Sequence, residues 1–299
     1  MEGAQHEPVL REEVLEHLGE EREGLFVDCT IGLGGHSRDI LTKYSKAKLI
    51  GIDLDERSLL KARDNLAVFG KRVSLFHSDF RFLPDLNLDF PSIQGVLVDL
   101  GISSYQLDSP ERGFSYQKEG PLDMRMDLRN KYTADRIINK GSEQQIARIF
   151  FEFGELRQAR RLAREIVSRR KMKKIETTTE LRKLVEEICR WHPQKGRIHP
   201  AAKAFQALRI EVNQELKGLA EFIKKLTLHL SPGARIVFIS FHSLEDRIVK
   251  QTFNSLASPP DTPPSLRILT KKPVTASEKE VERNFRSRSA KLRAAEKLL

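Results

Sequence analysis

Five positions near the start of the chain carry the residue types that bind a charged nucleoside: Asp28, the glycine run Gly32-Leu33-Gly34-Gly35 with His36 behind it, Asp53, Asp79 and Asp99. Glycines in such a turn let the backbone come close to a ligand, because no Cβ stands in the way. Asp53 follows Gly34 by nineteen residues, the distance at which an acid can accept both ribose hydroxyls of an adenosine cofactor. A dinucleotide site would want G-x-G-x-x-G and a helix N-terminus facing a pyrophosphate. Here the glycines are spaced differently, and Asp28 stands just before them. That acid suits an ammonium group far better than a diphosphate. S-adenosylmethionine is therefore the expected cofactor, with Asp79 and Phe80 beside the adenine. A nicotinamide oxidoreductase is the less favoured reading.

Each acid closes a short apolar run: Leu25 to Cys29, Lys48 to Asp53, Val73 to His77 and Gly95 to Leu100. These runs read as buried parallel strands. Helical spacing lies between them, as at Leu59, Ala62, Leu66 and Phe69, so the order is strand, helix, strand, helix. Each strand would end at the same edge and deliver its acid there. A fifth run, Arg235 to Phe241, follows a long interval with no strand pattern. The expected fold is a Rossmann-like α/β sheet, mostly parallel and interrupted by an all-α insertion. Residues 1–108 and 213–299 are assigned to the cofactor-binding domain and 109–212 to the inserted helical domain.

In the insertion, Ala134 to Ile138, Glu143 to Phe153, Leu156 to Arg170 and Thr179 to Trp191 show three- and four-residue apolar spacing. From Phe205 to Leu230 the helical period continues without break, which predicts one long helix stopped by Ser231-Pro232-Gly233. A helix is expected over Leu244 to Leu256 and a strand over Leu266 to Val274. Ser287 to Leu299 fits either.

The chain has 299 residues, with 52 Lys+Arg against 42 Asp+Glu and a net charge of +10. Most of that excess lies in Arg157 to Lys174, where nine cations face Glu165 alone, a net of +8. Arg157, Arg160, Arg161 and Arg164 share one helical face, opposite Ala159, Leu162, Ala163 and Ile166. A face of arginines without acids points to a polyanion. Farther on, Trp191, Lys195 and Arg197 combine an aromatic with cations, as in the holding of single-stranded RNA. Cys189, His192 and His199 lack the second cysteine pair a zinc site would want, so no metal is expected. Two cysteines, Cys29 and Cys189, exclude a disulfide framework. The apolar runs fall short of the ~20 residues that span a bilayer, so a cytoplasmic protein without membrane contact is expected.

Longer motifs carry a family resemblance. Asp99-Leu100-Gly101-Ile102-Ser103-Ser104-Tyr105-Gln106-Leu107-Asp108, Glu111 to Ser115, Gly120 to Asp127, Phe241 to Arg247 and Arg286 to Arg293 resemble the bacterial MraW family of ribosomal RNA small subunit methyltransferases, over nearly the whole chain. Tyr105 and Phe285 stand where the family pattern has proline. The resemblance implies a class I methyltransferase fold and S-adenosylmethionine-dependent methylation of cytidine N4 in the decoding region of 16S ribosomal RNA, either naked or within the small subunit. It also implies cofactor contacts at Gly34, Gly35, His36, Asp53, Phe80, Asp99 and Gln106. An exocyclic amine is a poor nucleophile, so orientation and an acceptor for its proton are needed; Asp99, Ser103 and Ser104 are the candidates. Tyr105 is an alternative, placed to stack on the cytosine. A non-catalytic RNA-binding protein would explain the charge but not the acids. The oligomeric state stays open, a homodimer included.

Overall fold

The computed structural model describes residues 7–20, 23–194 and 198–298. In chain order its regular elements are α1 (Arg11–Leu18), β1 (Leu25–Asp28), α2 (Gly35–Lys43), β2 (Lys48–Asp53), α3 (Glu56–Asn65), β3 (Val73–His77), β4 (Ile93–Asp99) and α4 (Ser104–Asp108). They continue as α5 (Ala134–Lys140), α6 (Glu143–Glu152), α7 (Ala159–Met172), α8 (Thr178–Cys189), α9 (Pro200–Asn213), α10 (Leu219–His229), β5 (Arg235–Ser240), α11 (Ser243–Ala257), β6 (Leu266–Ile268), α12 (Glu278–Arg283) and β7 (Lys291–Lys297). Two compact units result: Met1–Gly101 with Leu216–Leu299, and Ile102–Glu215. Residues 102–108 and 213–215, assigned from the sequence to the cofactor-binding domain, fall in the helical unit.

The first unit is built on a sheet of strand order β3-β2-β1-β4-β5-β7-β6. Its first five strands run parallel, and β7 and β6 are antiparallel additions. Val, Ile and Leu dominate β1, β2, β4 and β5, so these strands are buried on both faces. β3 departs from that expectation. It is the edge strand, and Ser74 and Phe76 face solvent while their neighbours pack inward. One face carries α1, α2 and α3 through Leu10, Val14, Ile40, Leu41 and Leu59; the other carries α10 and α11 through Phe222, Leu226, Val249 and Phe253. Because β1 lies between β2 and β4, the strand order reverses beside it, and the carboxyl edge at such a reversal is where open α/β sheets bind their ligands.

The second unit closes its own core of Ile137, Ile149, Phe150, Leu162, Ile166, Leu181, Leu184 and Phe205. Its helices start at side-chain caps: Thr133 for α5, Ser142 for α6, and a reciprocal Thr177–Glu180 capping box for α8. The long helix expected from Phe205 to Leu230 is instead two, α9 and α10. Gln214 closes α9 in the left-handed region (φ 52°), and Gly218 (φ 75°) opens α10. Apolar spacing continues through the break because Leu216 and Leu219 keep the period, so the pattern alone conceals it. The strand expected over Leu266 to Val274 ends at Ile268, and Val274 adds only an isolated bridge to Leu292. The ambiguous tail is the strand β7. No helix among the described residues is long and apolar enough to cross a membrane.

Candidate active site

The crevice is assembled by three strand ends and the loop that follows β1. Gly32 (φ 52°) and Gly34 (φ 83°) both take the left-handed backbone conformation, which side chains disfavour. Gly34 is also hemmed in, since a Cβ there would come within 2.9 Å of Leu66 Cδ1. The loop is tied down on all sides. Ile31 N–H donates to Ile52 O at 2.9 Å, and Gly34 N–H donates to Ile31 O at 2.7 Å. Gly32 N–H donates to Asp53 Oδ2 at 2.8 Å, while Asp53 Oδ1 accepts from Asp55 N–H at 2.8 Å. Asp28 accepts from Ser37 Oγ at 2.7 Å and Thr30 N–H at 3.3 Å. Thr30 Oγ1 in turn accepts from Asp99 N–H at 2.7 Å. His36, at the start of α2, places Nε2 3.7 Å from Asp99 Oδ2.

Electrostatics set this site apart from an ordinary polar loop. Burial pushes Asp28 and Asp53 up to about 6, and pushes Asp99 well above the carboxylate range. The negative charge of Asp28 adds to the shift at both Asp53 and Asp99, and Glu245 adds to it at Asp99. Among the described residues none of the three aspartates pairs with lysine or arginine. Asp99 Oδ1 is buried with no hydrogen-bond partner. Clustered acids without a cation beside them are costly alone and favourable once a cation enters. A sulfonium nucleoside with an ammonium tail brings two positive centres and a diol, and so fits this donor and acceptor set.

Of the residues expected to hold the cofactor, the structure gathers Gly34, Gly35, His36, Asp53 and Asp99 at this edge. Asp28 is 2% exposed, and its oxygens are committed to Ser37 and Thr30, which orient α2. Asp79 follows β3 and is bound by the guanidinium of Arg81, with Nε at 2.9 and 3.0 Å from its two oxygens. Phe80 packs edge-on against Phe222, with centroids 5.0 Å apart. Ser103, Ser104 and Gln106 belong to the helical unit. Ser103 and Gln106 form a reciprocal capping box at the start of α4, and the buried Ser104 Oγ has no hydrogen-bond partner. Tyr105, partly buried, lies on the same short helix.

Two contributors escaped sequence reasoning. Pro8 packs against the loop so tightly that a Cβ on Gly35 would sit 2.7 Å from its Cγ. After β5, His242 and Glu245 form a capping box for α11, and Glu245, 1% exposed, bears on Asp99. The His-x-x-Glu spacing before an apolar helix was the available signal for the second; nothing local marked the first.

In the helical unit, α7 buries Ala159, Leu162, Ala163 and Ile166 and exposes Arg160, Arg161 and Arg164, with exposed Arg157 just before it. Part of the basic run is neutralised by acids of neighbouring helices. Arg169 meets Glu187 at 2.5 Å, Lys173 meets Glu180 at 2.7 Å, Lys174 meets Asp135 at 2.8 Å, and Arg164 lies 3.8 Å from Glu143. Arg157, Arg160 and Arg161 make no ion pair among the described residues. Trp191 tilts against His199 at 4.8 Å, and Tyr116 stacks on the same imidazole at 5.0 Å. That partly buried tryptophan lines an open concavity with Lys183, Glu186, Glu187, Arg190 and His192, so acids share its wall with the cations. Lys195 and Arg197 lie outside the described residues. Asp123 and Arg125 pair within this unit, at 2.8 and 2.7 Å.

Comparison with known proteins agrees with the geometry. The model of the MraW methylase family matches residues 3–298. The protein named ribosomal RNA small subunit methyltransferase H of Carboxydothermus hydrogenoformans is 48% identical over 308 residues, covering 98% of both chains. Its namesake from Thermotoga neapolitana is 48% identical over 296 residues, covering 97% of this chain and 95% of that one. A nicotinamide oxidoreductase finds no support in these relatives. The chain belongs to the MraW methylase family, whose methyl donor is S-adenosylmethionine.

Proposed function

We propose that this protein methylates the N4 amine of one cytidine in the decoding region of 16S ribosomal RNA, acting on the small-subunit RNA or the assembling subunit. The relatives, named for small-subunit ribosomal RNA methylation, support the RNA, and the family resemblance supports the base. The observation that carries the chemistry is Asp99, a partly buried acid at the carboxyl edge of β4 whose buried Oδ1 has no hydrogen-bond partner among the described residues.

Bound S-adenosylmethionine supplies an electrophilic methyl group. The protein's own work is to bind, orient and remove a proton. Asp53 accepts the ribose hydroxyls through the lone pairs left over from Gly32 and Asp55. Gly34 and Gly35, whose Cβ positions Leu66 and Pro8 fill, let the loop beside the nucleoside pack tightly on the protein, and Phe80 offers an apolar wall. His36 steadies Asp99. Asp99 Oδ1 accepts the proton leaving N4, a task suited to a carboxylate whose burial makes it a stronger base. Ser104, whose buried hydroxyl lacks a partner, Ser103 and Gln106 complete the assigned set on the strength of the resemblance. Arg157, Arg160, Arg161 and Arg164 bind phosphates, and Trp191 contributes a stacking face.

The test is transfer of isotope-labelled methyl to in vitro transcribed 16S RNA and to small subunits, followed by mass spectrometry of nuclease fragments. Label on one cytidine as N4-methylcytidine is the expected result. Label on a carbon or on another base would overturn the assignment, and no transfer to either substrate would favour a non-catalytic RNA-binding role.

A further inference from the structure

One exposed aromatic on the cofactor-binding unit has no part in the chemistry above. Phe285 is 66% exposed, and the Arg288 guanidinium lies over its ring, 4.5 Å from the centroid. Single exposed apolar residues are ordinary, but this one is displayed from a fixed turn. Asn284 caps that turn by accepting from Arg286 N–H at 3.3 Å. Ser287, fully buried, donates to Asn284 O at 2.8 Å, and buried Ala290 leads into β7.

Topology puts the turn on the crevice side. β7 runs antiparallel to β5, and Lys291 is opposite Ser240, the last residue of β5. The chain therefore enters β7 at the carboxyl edge of the parallel strands, where Asp28, Asp53 and Asp99 also end. A direct link joins the two features: Asn284 Nδ2 donates to Glu7 O at 3.2 Å, and the next residue, Pro8, packs on Gly35 of the cofactor loop. From Arg283 to Arg293 the sequence holds five cations and no acid, of which Lys291 and the buried Arg293 meet Asp246 and Arg283 lies 3.8 Å from Glu7. Arg288 makes no ion pair among the described residues.

We infer that Phe285 and Arg288 form a second RNA-contact platform, on which an unpaired nucleotide of the substrate stacks while Arg288 meets its phosphate. The platform rests on the RNA-substrate reading above. A ring already held by a guanidinium on one side presents its other π-face at little cost in side-chain entropy, and stacking of this kind tolerates any base. A guanidinium without an ion pair among the described residues, held over an exposed ring, favours an RNA nucleotide over a protein surface.

Full-length Phe285→Ala, Phe285→Trp and Arg288→Gln proteins are to be titrated against 16S RNA over a range of salt, and against small subunits. S-adenosylmethionine affinity by calorimetry serves as the folding control. Phe285→Ala should weaken RNA binding by about tenfold or more, as loss of one stacked base does, while Phe285→Trp restores it. Arg288→Gln should lower the slope of log K against log salt by roughly 0.7 to 0.9. Cofactor affinity should stay unchanged in all three. Equal RNA binding by wild type and Phe285→Ala overturns the platform alone. A loss seen with subunits but not with naked RNA also overturns it, in favour of a protein contact. Failure of the wild type to bind either would overturn the RNA reading itself, and the platform with it.

Discussion

Gly32 and Asp53, twenty-one residues apart and on neighbouring segments, share a hydrogen bond of 2.8 Å from backbone N–H to carboxylate Oδ2. The bond shapes the loop after β1, and in the proposed reading the lone pairs of Asp53 that Gly32 and Asp55 leave over serve the ribose. Asp53→Asn can satisfy Gly32 or Asp55 as an acceptor, but not both, because one of its side-chain atoms is a donor. S-adenosylmethionine affinity should fall roughly ten- to a hundredfold, in line with about 1.5–3 kcal/mol for a hydrogen bond to a charged group. Isothermal calorimetry measures this directly, and an unchanged affinity would remove Asp53 from the ribose.

Acids held up near 6 tie binding to pH. Asp28 and Asp53 ordinarily titrate near 3.8 and are raised by burial. The cofactor-free fold therefore keeps protons that the unfolded chain releases, and the stability these groups contribute is full below about pH 4 and lost as pH rises to about 6. A cation in the crevice favours the ionised acids, so the sign reverses for binding. Affinity should climb as pH rises through 6 and level off above it, with protons released on binding. Calorimetry at pH 6 in buffers of different ionisation enthalpy reads that release; proton uptake would contradict it.

The parts of this arrangement visible in the sequence were those with a short-range cause. Alternating strand and helix patterns located β1 to β5, and each acid at a strand end was visible because the strand itself was. The seam between α9 and α10 was hidden, since it depends on the backbone of Gln214 and Gly218 while the apolar spacing runs on. Pro8 against Gly35 was hidden as well, because it is a packing event across twenty-seven residues with no periodic mark. Composition exposed the excess charge of the Arg157 to Lys174 run but not the acids from other helices that offset part of it.

Asp99 provides the sharpest test of chemistry. Its amide in Asp99→Asn keeps an oxygen for hydrogen bonding but cannot take up a proton at neutral pH. The methyl-transfer rate should drop by about 10²–10⁴, the usual worth of a positioned base, with a smaller change in cofactor affinity. Single-turnover transfer with saturating RNA separates the two effects. A mutant with the wild-type rate would move the proton to another acceptor.

The arginine face of α7 is the part of the helical unit most exposed to a decisive measurement. Its apolar side is committed to the core through Leu162 and Ile166, both fully buried, so substitutions on the opposite side leave the packing intact. Among the described residues Arg160 and Arg161 make no ion pair, Arg161 lowering the pKa of the exposed Glu187 from a distance, and Arg164 has a 3.8 Å approach to the exposed Glu143, worth little in water. Reversing all three to Glu should therefore leave thermal stability and S-adenosylmethionine affinity close to wild type. RNA binding should weaken steeply at low salt, and the slope of log K against log salt should flatten by roughly 0.7 to 0.9 for each phosphate contact removed. A variant whose slope matches the wild type would show that these arginines only solvate the helix, and the phosphate contacts would then have to be sought elsewhere on the protein.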